Sequence, residues 1–526
     1  MVARSMTVFL TALLVAGGVL AAAPDADPGW PQANGPFGNF NPRQYGVKLV
    51  DDLHQAKKVW TSETNSLGRG KGSASGYVDM LADPNSHPGS ASGLIVAEGK
   101  VFASSFRPRG EVWAEGAARI AGNTGKYSGA QLEALKRNTA VDADDLTVAM
   151  DAATGKTVWE AVEAGKGLNR AHGKRALFHL TPAYYDGRVF SFGTMGRIYC
   201  YQAADGKKLW EDDTGPLVKP ATELREKMRA QRNLLPGGEG MGASLVVADG
   251  VLVVPHYPGA QDIALRGIDV KTGKTLWITP MPVSSRYATP AVWTHEATQY
   301  LLVATVKGEL RLIDPQSGKV LWTVEGLQPT YYSLSPSQKH VFVNVRSAFN
   351  EPANKGGRMW GRIGAYRITP QKAEPAWQAP DKPPFWFENH MDICAMRRLA
   401  VRDGRVYLFT QGHSLDPASS ATHFNILDEN TGEVLLTSTQ LKGSPLFYLV
   451  EDRMLYTPDS AHWKAVQWQF WTLDPKGFRP LGELWKVPHD NTTAYEVFIE
   501  LPYANGRFYM RTWQGQVVCY DFRAAN

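Results

Sequence analysis

Cysteine is scarce in this chain: three in 526 residues, at Cys200, Cys394 and Cys519. They are far apart, with no CxxC, no CxxCH and no adjacent pair. An odd, scattered set is not a disulfide framework, and it argues against an attached c-type haem or a cysteine-rich zinc site. The expected role is that of small buried hydrophobes in strands. An excess of one charge is also missing. Lys and Arg number 56 against 51 Asp and Glu, for a formal net charge of +5. No long basic run stands out, so nucleic-acid binding is not indicated. Beyond the N-terminus no apolar run is long enough to read as a membrane span. Wholesale disorder is excluded by 43% hydrophobic and 20% charged residues.

The one apolar run opens the chain. Arg4 supplies a positive flank, Met6 to Leu20 an apolar stretch, and Val19-Leu20-Ala21 with the following alanines a small-residue cleavage region. This reads as a secretory signal peptide removed around residues 21–23, rather than a membrane anchor, which needs about 20 apolar residues. The mature chain is expected to be exported, periplasmic or extracellular, with no stable membrane span. No cysteine follows the cleavage region, which disfavours a lipoprotein.

What the chain has in abundance is Gly (50), Pro (33), Trp (16) and Tyr (20), the composition of a turn-rich, aromatic-rich β protein. One phrase recurs: a short apolar strand, Asp or a substitute, a turn with Gly, then an apolar residue before Trp. Copies end at Trp159, Trp210, Trp277 and Trp322, with a degraded copy at Trp377. Further copies end at Leu436 and Trp485, and a half-copy closes the chain at Phe522. The steps vary from 45 residues, Trp277 to Trp322, to 67, Trp210 to Trp277, so a compact unit carries variable loops. Each copy follows two more strand-like runs joined by hairpin signals at Glu98-Gly99, Asp186-Gly187, Asp249-Gly250 and Asp403-Gly404. Repeated four-stranded antiparallel units predict an all-β fold, a single eight-bladed β-propeller. The half-copy at the C-terminus lacks an outer strand, and Lys57 to Trp60 is its expected partner, which would remove the open seam. The expected organisation is signal peptide 1–23, N-terminal extension 24–56 and propeller 57–526. The repeated Asp, Thr, Gly and Trp read as architecture: turn chemistry and packing between blades.

These repeats resemble the PQQ-like, quinoprotein-type family of eight-bladed propellers, over roughly residues 57–526. The opening GWPQANGPFGN, Gly29 to Asn39, resembles the segment preceding the propeller in exported members. The resemblance implies the fold. For function it offers PQQ-dependent dehydrogenases and outer-membrane assembly lipoproteins. The dehydrogenases clamp the quinone with a disulfide of adjacent cysteines, beside a calcium held by Glu, Asn and Asp. This chain has no adjacent cysteines, so PQQ is not favoured, although Glu388, Asn389 and Asp392 are suitable calcium oxygens.

Insertions form the second pattern. Arg107 to Asp144 interrupts blade one and contains a helix-like SGAQLEALKRNTA; Glu211 to Gly240 contains ATELREKMRAQRN. Longer excursions run from Arg346 to Trp360 and from Asp381 to Asp392. Strand counting places all four on one rim, the expected place for a binding site. The same rim is expected to collect His256, Tyr257, Arg286, Tyr287, Glu388, His390, His413, His462 and His489. Imidazole and carboxylate suit a divalent metal at Glu388, His390, His413, His462 and His489. Alternatively His256, Tyr257, Arg286, Tyr287 and His390 are candidates for acid/base catalysis, with Arg286 neutralising a substrate carboxylate. The leading reading is an exported propeller that binds a ligand or partner at its loop-decorated face. That partner is a small molecule, a saccharide or another exported protein. A carbohydrate-directed enzyme and a PQQ-dependent dehydrogenase are the alternatives.

Overall fold

The computed structural model describes residues 29–67, 82–84, 92–169, 180–213, 221–230, 243–256, 264–281, 289–328, 333–347, 359–382, 384–385, 387–389, 399–411, 422–441, 446–457, 467–488, 502–512 and 515–525. The hairpin signals become tight turns. Asp186 and Gly187 have φ of 47° and 72°, and Asp249 and Gly250 46° and 77°. Two consecutive left-handed residues match the twist of the flanking strands, which is why an acidic residue followed by Gly recurs there.

Eight four-stranded antiparallel sheets result. Blade 1 runs through Ile95–Ala97, Lys100–Val112, Ala140–Asp151 and Thr157–Leu168, from inner to outer strand. Blade 2 runs through Ala183–Tyr185, Arg188–Phe192, Ile198–Gln202 and Lys208–Asp212. In blades 3, 4, 6 and 7 the strands follow one another in the same sequential order. Blade 8 comprises Tyr503–Ala504, Arg507–Arg511 and Val517–Asp521, and its outer strand is Lys57–Thr61 from the other end of the chain. Lys57 lies opposite Asp521 and Thr61 opposite Val518, so the ring closes as the repeat arithmetic predicts.

Blade 5 departs from the pattern. Its sheet holds His340–Arg346, Met359–Ile368 and Ala373–Gln378, and the fourth member is Phe387–Asn389, paired with the far end of Met359–Ile368. The segment that would form its inner strand ends in Ser335-Pro336. Proline has no N–H to give to a ladder.

Six outer-strand tryptophans join their blade to the next through one repeated contact. The indole N–H of Trp60 donates to the Ala152 carbonyl at 3.1 Å, Trp159 to Ala203 at 3.0 Å and Trp210 to Val270 at 3.1 Å. Trp277, Trp322 and Trp377 donate in the same way to Pro315, Thr369 and Glu429. The rings of Trp60, Trp159, Trp210, Trp277 and Trp377 lie against the glycine of the turn they bond. A Cβ on Gly206 would stand 2.6 Å from Trp159, and one on Gly318 2.4 Å from Trp277. The turn itself is held by its Asp: Asp151 accepts from the N–H of Ala153 and Thr154 and from the Thr154 hydroxyl, and Asp269 and Asp428 repeat the arrangement.

The N-terminal segment does more than precede the propeller. Trp30 exchanges two backbone hydrogen bonds with Val96 of blade 1, and the Pro31 carbonyl accepts from Tyr184 of blade 2. Five amide side chains then serve five successive blades. Gln32 accepts from Val247 N–H, Asn34 donates to the Pro290 carbonyl, Asn39 to Pro336, Asn41 to Val401 and Gln44 to Glu451. Val50 finally donates to Phe522 in blade 8. Residues 30–50 thus form a strap that visits every blade in order. Its partners include free edges of inner strands, whose backbone groups would otherwise lack protein partners.

Candidate functional site

Three described helices gather at the end opposite the tight hairpins. α1 (Ala114–Ala121) and α2 (Ala130–Asn138) lie between the second and third strands of blade 1. α3 (Ala221–Ala230) lies between blades 2 and 3. The sequence anticipated α2 and α3 but not α1, whose AEGAARIA is short and carries a helix-weakening Gly. α3 packs on α1 and on the third strand of blade 1. Trp113, Val141, Leu168, Met195, Ala221 and Met228 form one buried cluster under them. Arg225 of α3 pairs with Asp142. The insertions are therefore a single docked cap over blades 1 and 2.

Beneath that cap, polar groups tie neighbouring blades. Asp145 is fully buried and accepts from Thr194 N–H and hydroxyl, both at 2.9 Å, and from the Tyr199 hydroxyl at 3.0 Å. Burial pushes its carboxyl up, against the pull of those donors. Glu163 accepts from Tyr201 at 3.1 Å and Lys208 at 2.9 Å. Arg266 and Asp212 form a buried pair at 2.5 Å between blades 3 and 2. At the entry to the inner strands a relay of hydroxyls links five blades. Gly93 N–H donates to Thr181, Thr181 N–H to Ser244, Ser244 N–H to Thr289 and Thr289 N–H to Ser333, at 2.9–3.1 Å. At the seam, Arg511 is buried and donates to the carbonyls of Leu67, Ser92 and Ser104, with no carboxylate partner among the described residues. Desolvation pulls its guanidinium down to about 9.

The backbone places two of the sequence candidates at this end. His256 closes the second strand of blade 3, opposite Ala264, and Glu388 lies opposite Trp360 beside blade 5. Tyr257, Arg286, Tyr287, His390, His413, His462 and His489 lie outside the described residues, as does Asp392. Among the described residues no three His, Cys, Asp or Glu side chains gather closely enough to hold a metal ion. Cys200 and Cys519 are free and buried in third strands, and burial pushes both thiols up to about 12. Cys394 lies outside the described residues. With no two cysteines adjacent in the chain, the quinone clamp has no counterpart here.

At the hairpin end a cavity of about 680 Å³ lies between blades 4 and 5. Its walls are the strap turn at Phe37 and Asn39, the blade 4 hairpin at Trp293 to Ala297, and Pro336 to Lys339 of blade 5. Sequence reasoning missed this site, because the strap that builds one wall looked like a mere leader.

A family model described as "Outer membrane protein assembly factor BamB" matches residues 142–333, from the third strand of blade 1 to the entry of blade 5. The match spans blades 1 to 4 of the eight-bladed β-propeller and no more. Among solved structures, BamB from Moraxella catarrhalis is similar at 12% identity and a TM-score of 0.45, covering 74% of this chain and 93% of that one. Quinohemoprotein alcohol dehydrogenase from Comamonas testosteroni is similar at 14% identity and a TM-score of 0.40, covering 95% and 81%. A europium-containing methanol dehydrogenase is similar at 12% identity and a TM-score of 0.36, covering 82% and 89%. No curated protein matches the chain. No helix among the described residues is long and apolar enough to cross a membrane.

Proposed function

We propose that this propeller is an exported binding protein that engages a protein partner through its helix-capped end. The observation that carries the reading is the asymmetry of the ring. On one side the strap takes up inner-strand groups of blade after blade. On the other, α1, α2 and α3 dock together as a raised cap with exposed polar positions such as Gln131. A rigid scaffold carrying decorated loops at one end is the usual design of a binding surface. The match to a model named for an assembly factor supports a protein as the partner. Glu388, His390, His413, His462 and His489 are kept as candidate contacts of that end, and the signal-like N-terminus supports export.

A photo-crosslinking amino acid at Gln131 on α2, compared with one at Asp403 on the opposite hairpin end, tests the proposal in the exporting cell. A discrete protein adduct at Gln131 and none at Asp403 is expected. Equal adducts at both positions, or none at Gln131, would reject it.

A further inference from the structure

The cavity between blades 4 and 5 arises from three local departures from the repeat. The inner strand of blade 4, Ala291–His295, is five residues long where those of blades 1 to 3 are three, so its hairpin stands further out. Blade 5 replaces its inner strand with the Ser335-Pro336 segment. The strap makes a tight turn here, with Gly35 N–H donating to the Gln32 carbonyl and Phe40 N–H to that of Asn34.

That turn holds an aromatic ring in water. Phe37 is 52% exposed, the most exposed large hydrophobic among the described residues. It is not on a loose loop. Asn34 bonds Pro290 at 2.9 Å on one shoulder; on the other, Asn39 bonds Pro336 at 3.2 Å and accepts from Ser335 at 2.8 Å. Gly38 approaches so closely that a Cβ would stand 2.1 Å from the Val292 carbonyl. A second flat surface is the His295 imidazole, stacked on buried Trp293 with centroids 5.2 Å apart. Strain collects at the same place. The first residue of each described left-handed hairpin turn is acidic or Asn, and apart from these only Phe40 and Ala297 among the described non-glycine residues have positive φ, at 63° and 68°. Backbone strain concentrated at a cavity is a recognised mark of a functional site.

The charges around the cavity cancel. Glu296 and Lys339 flank it with opposite charges, and Lys339 is also within electrostatic reach of Glu429. Neither an anion nor a cation is favoured. Of the remaining polar groups, the Asn39 amide is engaged with Pro336 and Asn41 and the Ser337 hydroxyl with Glu429, which leaves Gln338 and His295 as hydrogen-bonding side chains beside the aromatic faces. A ligand with an apolar face and a rim of hydroxyls meets both requirements, and the cavity volume falls in the range of small-ligand sites. We propose that this groove binds a neutral saccharide chain, with Phe37 and His295 as stacking platforms and the amide and carboxylate side chains bonding its hydroxyls. The fixed strap turn makes the exposed ring pre-organised, so little ordering cost attends binding. This site is separate from the helix-capped end and stands or falls without it.

Isothermal titration of the purified chain with cellohexaose, xylohexaose, laminarihexaose and maltohexaose tests the assignment, with a polyproline peptide as the competing ligand. At least one saccharide should bind, with little dependence on salt. Phe37→Ala and His295→Ala should each weaken it by about tenfold or more. The melting midpoint of Phe37→Ala should stay in place, because that ring is already half in water. Failure of all four saccharides to bind, binding that survives Phe37→Ala, steep salt dependence, or binding of the polyproline peptide alone would each overturn the proposal.

Discussion

Gly206 is required twice over, by its φ of 75° and by the ring of Trp159 where its Cβ would be. Gly187 has a similar φ of 72° but nothing near its would-be Cβ. The pair separates backbone strain from blade-to-blade packing. Gly187→Ala is expected to cost about 1 kcal/mol, the left-handed penalty alone. Gly206→Ala should cost about 3 kcal/mol, because the tryptophan must also move. Chemical denaturation of the two variants checks this, and equal losses would mean that the indole yields freely.

Acid should find the same turns. The Thr154 hydroxyl, then backbone N–H groups, hold Asp151 below the ordinary 3.8, and Thr272 does the same for Asp269. In Asp428 burial works the opposite way and is outweighed by the Thr431 N–H and hydroxyl. A carboxylate depressed in the folded state stabilises it above the unfolded value, and that contribution is lost as pH falls through the folded value. Stability should therefore decline as pH drops past about 3.8. Replacing all three by Asn, which keeps an acceptor oxygen but cannot titrate, should flatten that part of the decline. Melting midpoints between about pH 6 and about pH 3 read the difference. An unchanged slope in the triple variant would assign acid sensitivity elsewhere.

At the scale of elements, what the sequence discloses depends on whether a signal is periodic. The outer strands were legible because each repeats one phrase, and the hairpins because acidic-Gly pairs have a single geometric use. The strap was not, since its information lies in isolated amides. Gln32, Asn34, Asn39, Asn41 and Gln44 follow no helix or strand period, yet each meets a different blade. A run of Asn and Gln among Gly and Pro, ahead of a repeat array, is the signal that would have pointed to it. The hydroxyl relay was half visible, in the Thr-Pro-Ala at Thr181 and again at Thr289. Blade 5 escaped because its third and outer strands keep the pattern while Pro336 quietly removes the inner one. The chemistry proposed for the loop-bearing end rests on single His and carboxylate residues in insertions, where no repeat fixes side-chain direction. Strand counting set the insertions that carry α1, α2 and α3 at one end, as their docking bears out, but it could not aim side chains in the other loops.

For the whole molecule, the chain ends bind the ring in two ways. Lys57–Thr61 completes blade 8, and Trp60 carries the docking contact across the seam to blade 1. The strap crosses all the other boundaries. In repeat arrays each unit touches only its neighbours, so cooperativity can fail between units. A segment that touches every blade counters that failure, because no blade can open without releasing part of it. Two deletions distinguish the contributions. Removing Lys57 to Ser62 while keeping the strap should expose the third strand of blade 8 as an open edge and cause marked destabilisation with aggregation. Removing residues 29–47 while keeping the closing strand should leave the blades paired but turn one sharp unfolding transition into a broader one. The reason is that buried inner-strand carbonyls, such as that of Val401, lose a side-chain donor at a cost of about 1–3 kcal/mol each. Calorimetric and van't Hoff enthalpies that agree for the intact chain and diverge for the strapless variant would establish the strap as the source of cooperativity. If the two enthalpies still agree after its removal, the tryptophan contacts between neighbours suffice to make the propeller unfold as one unit.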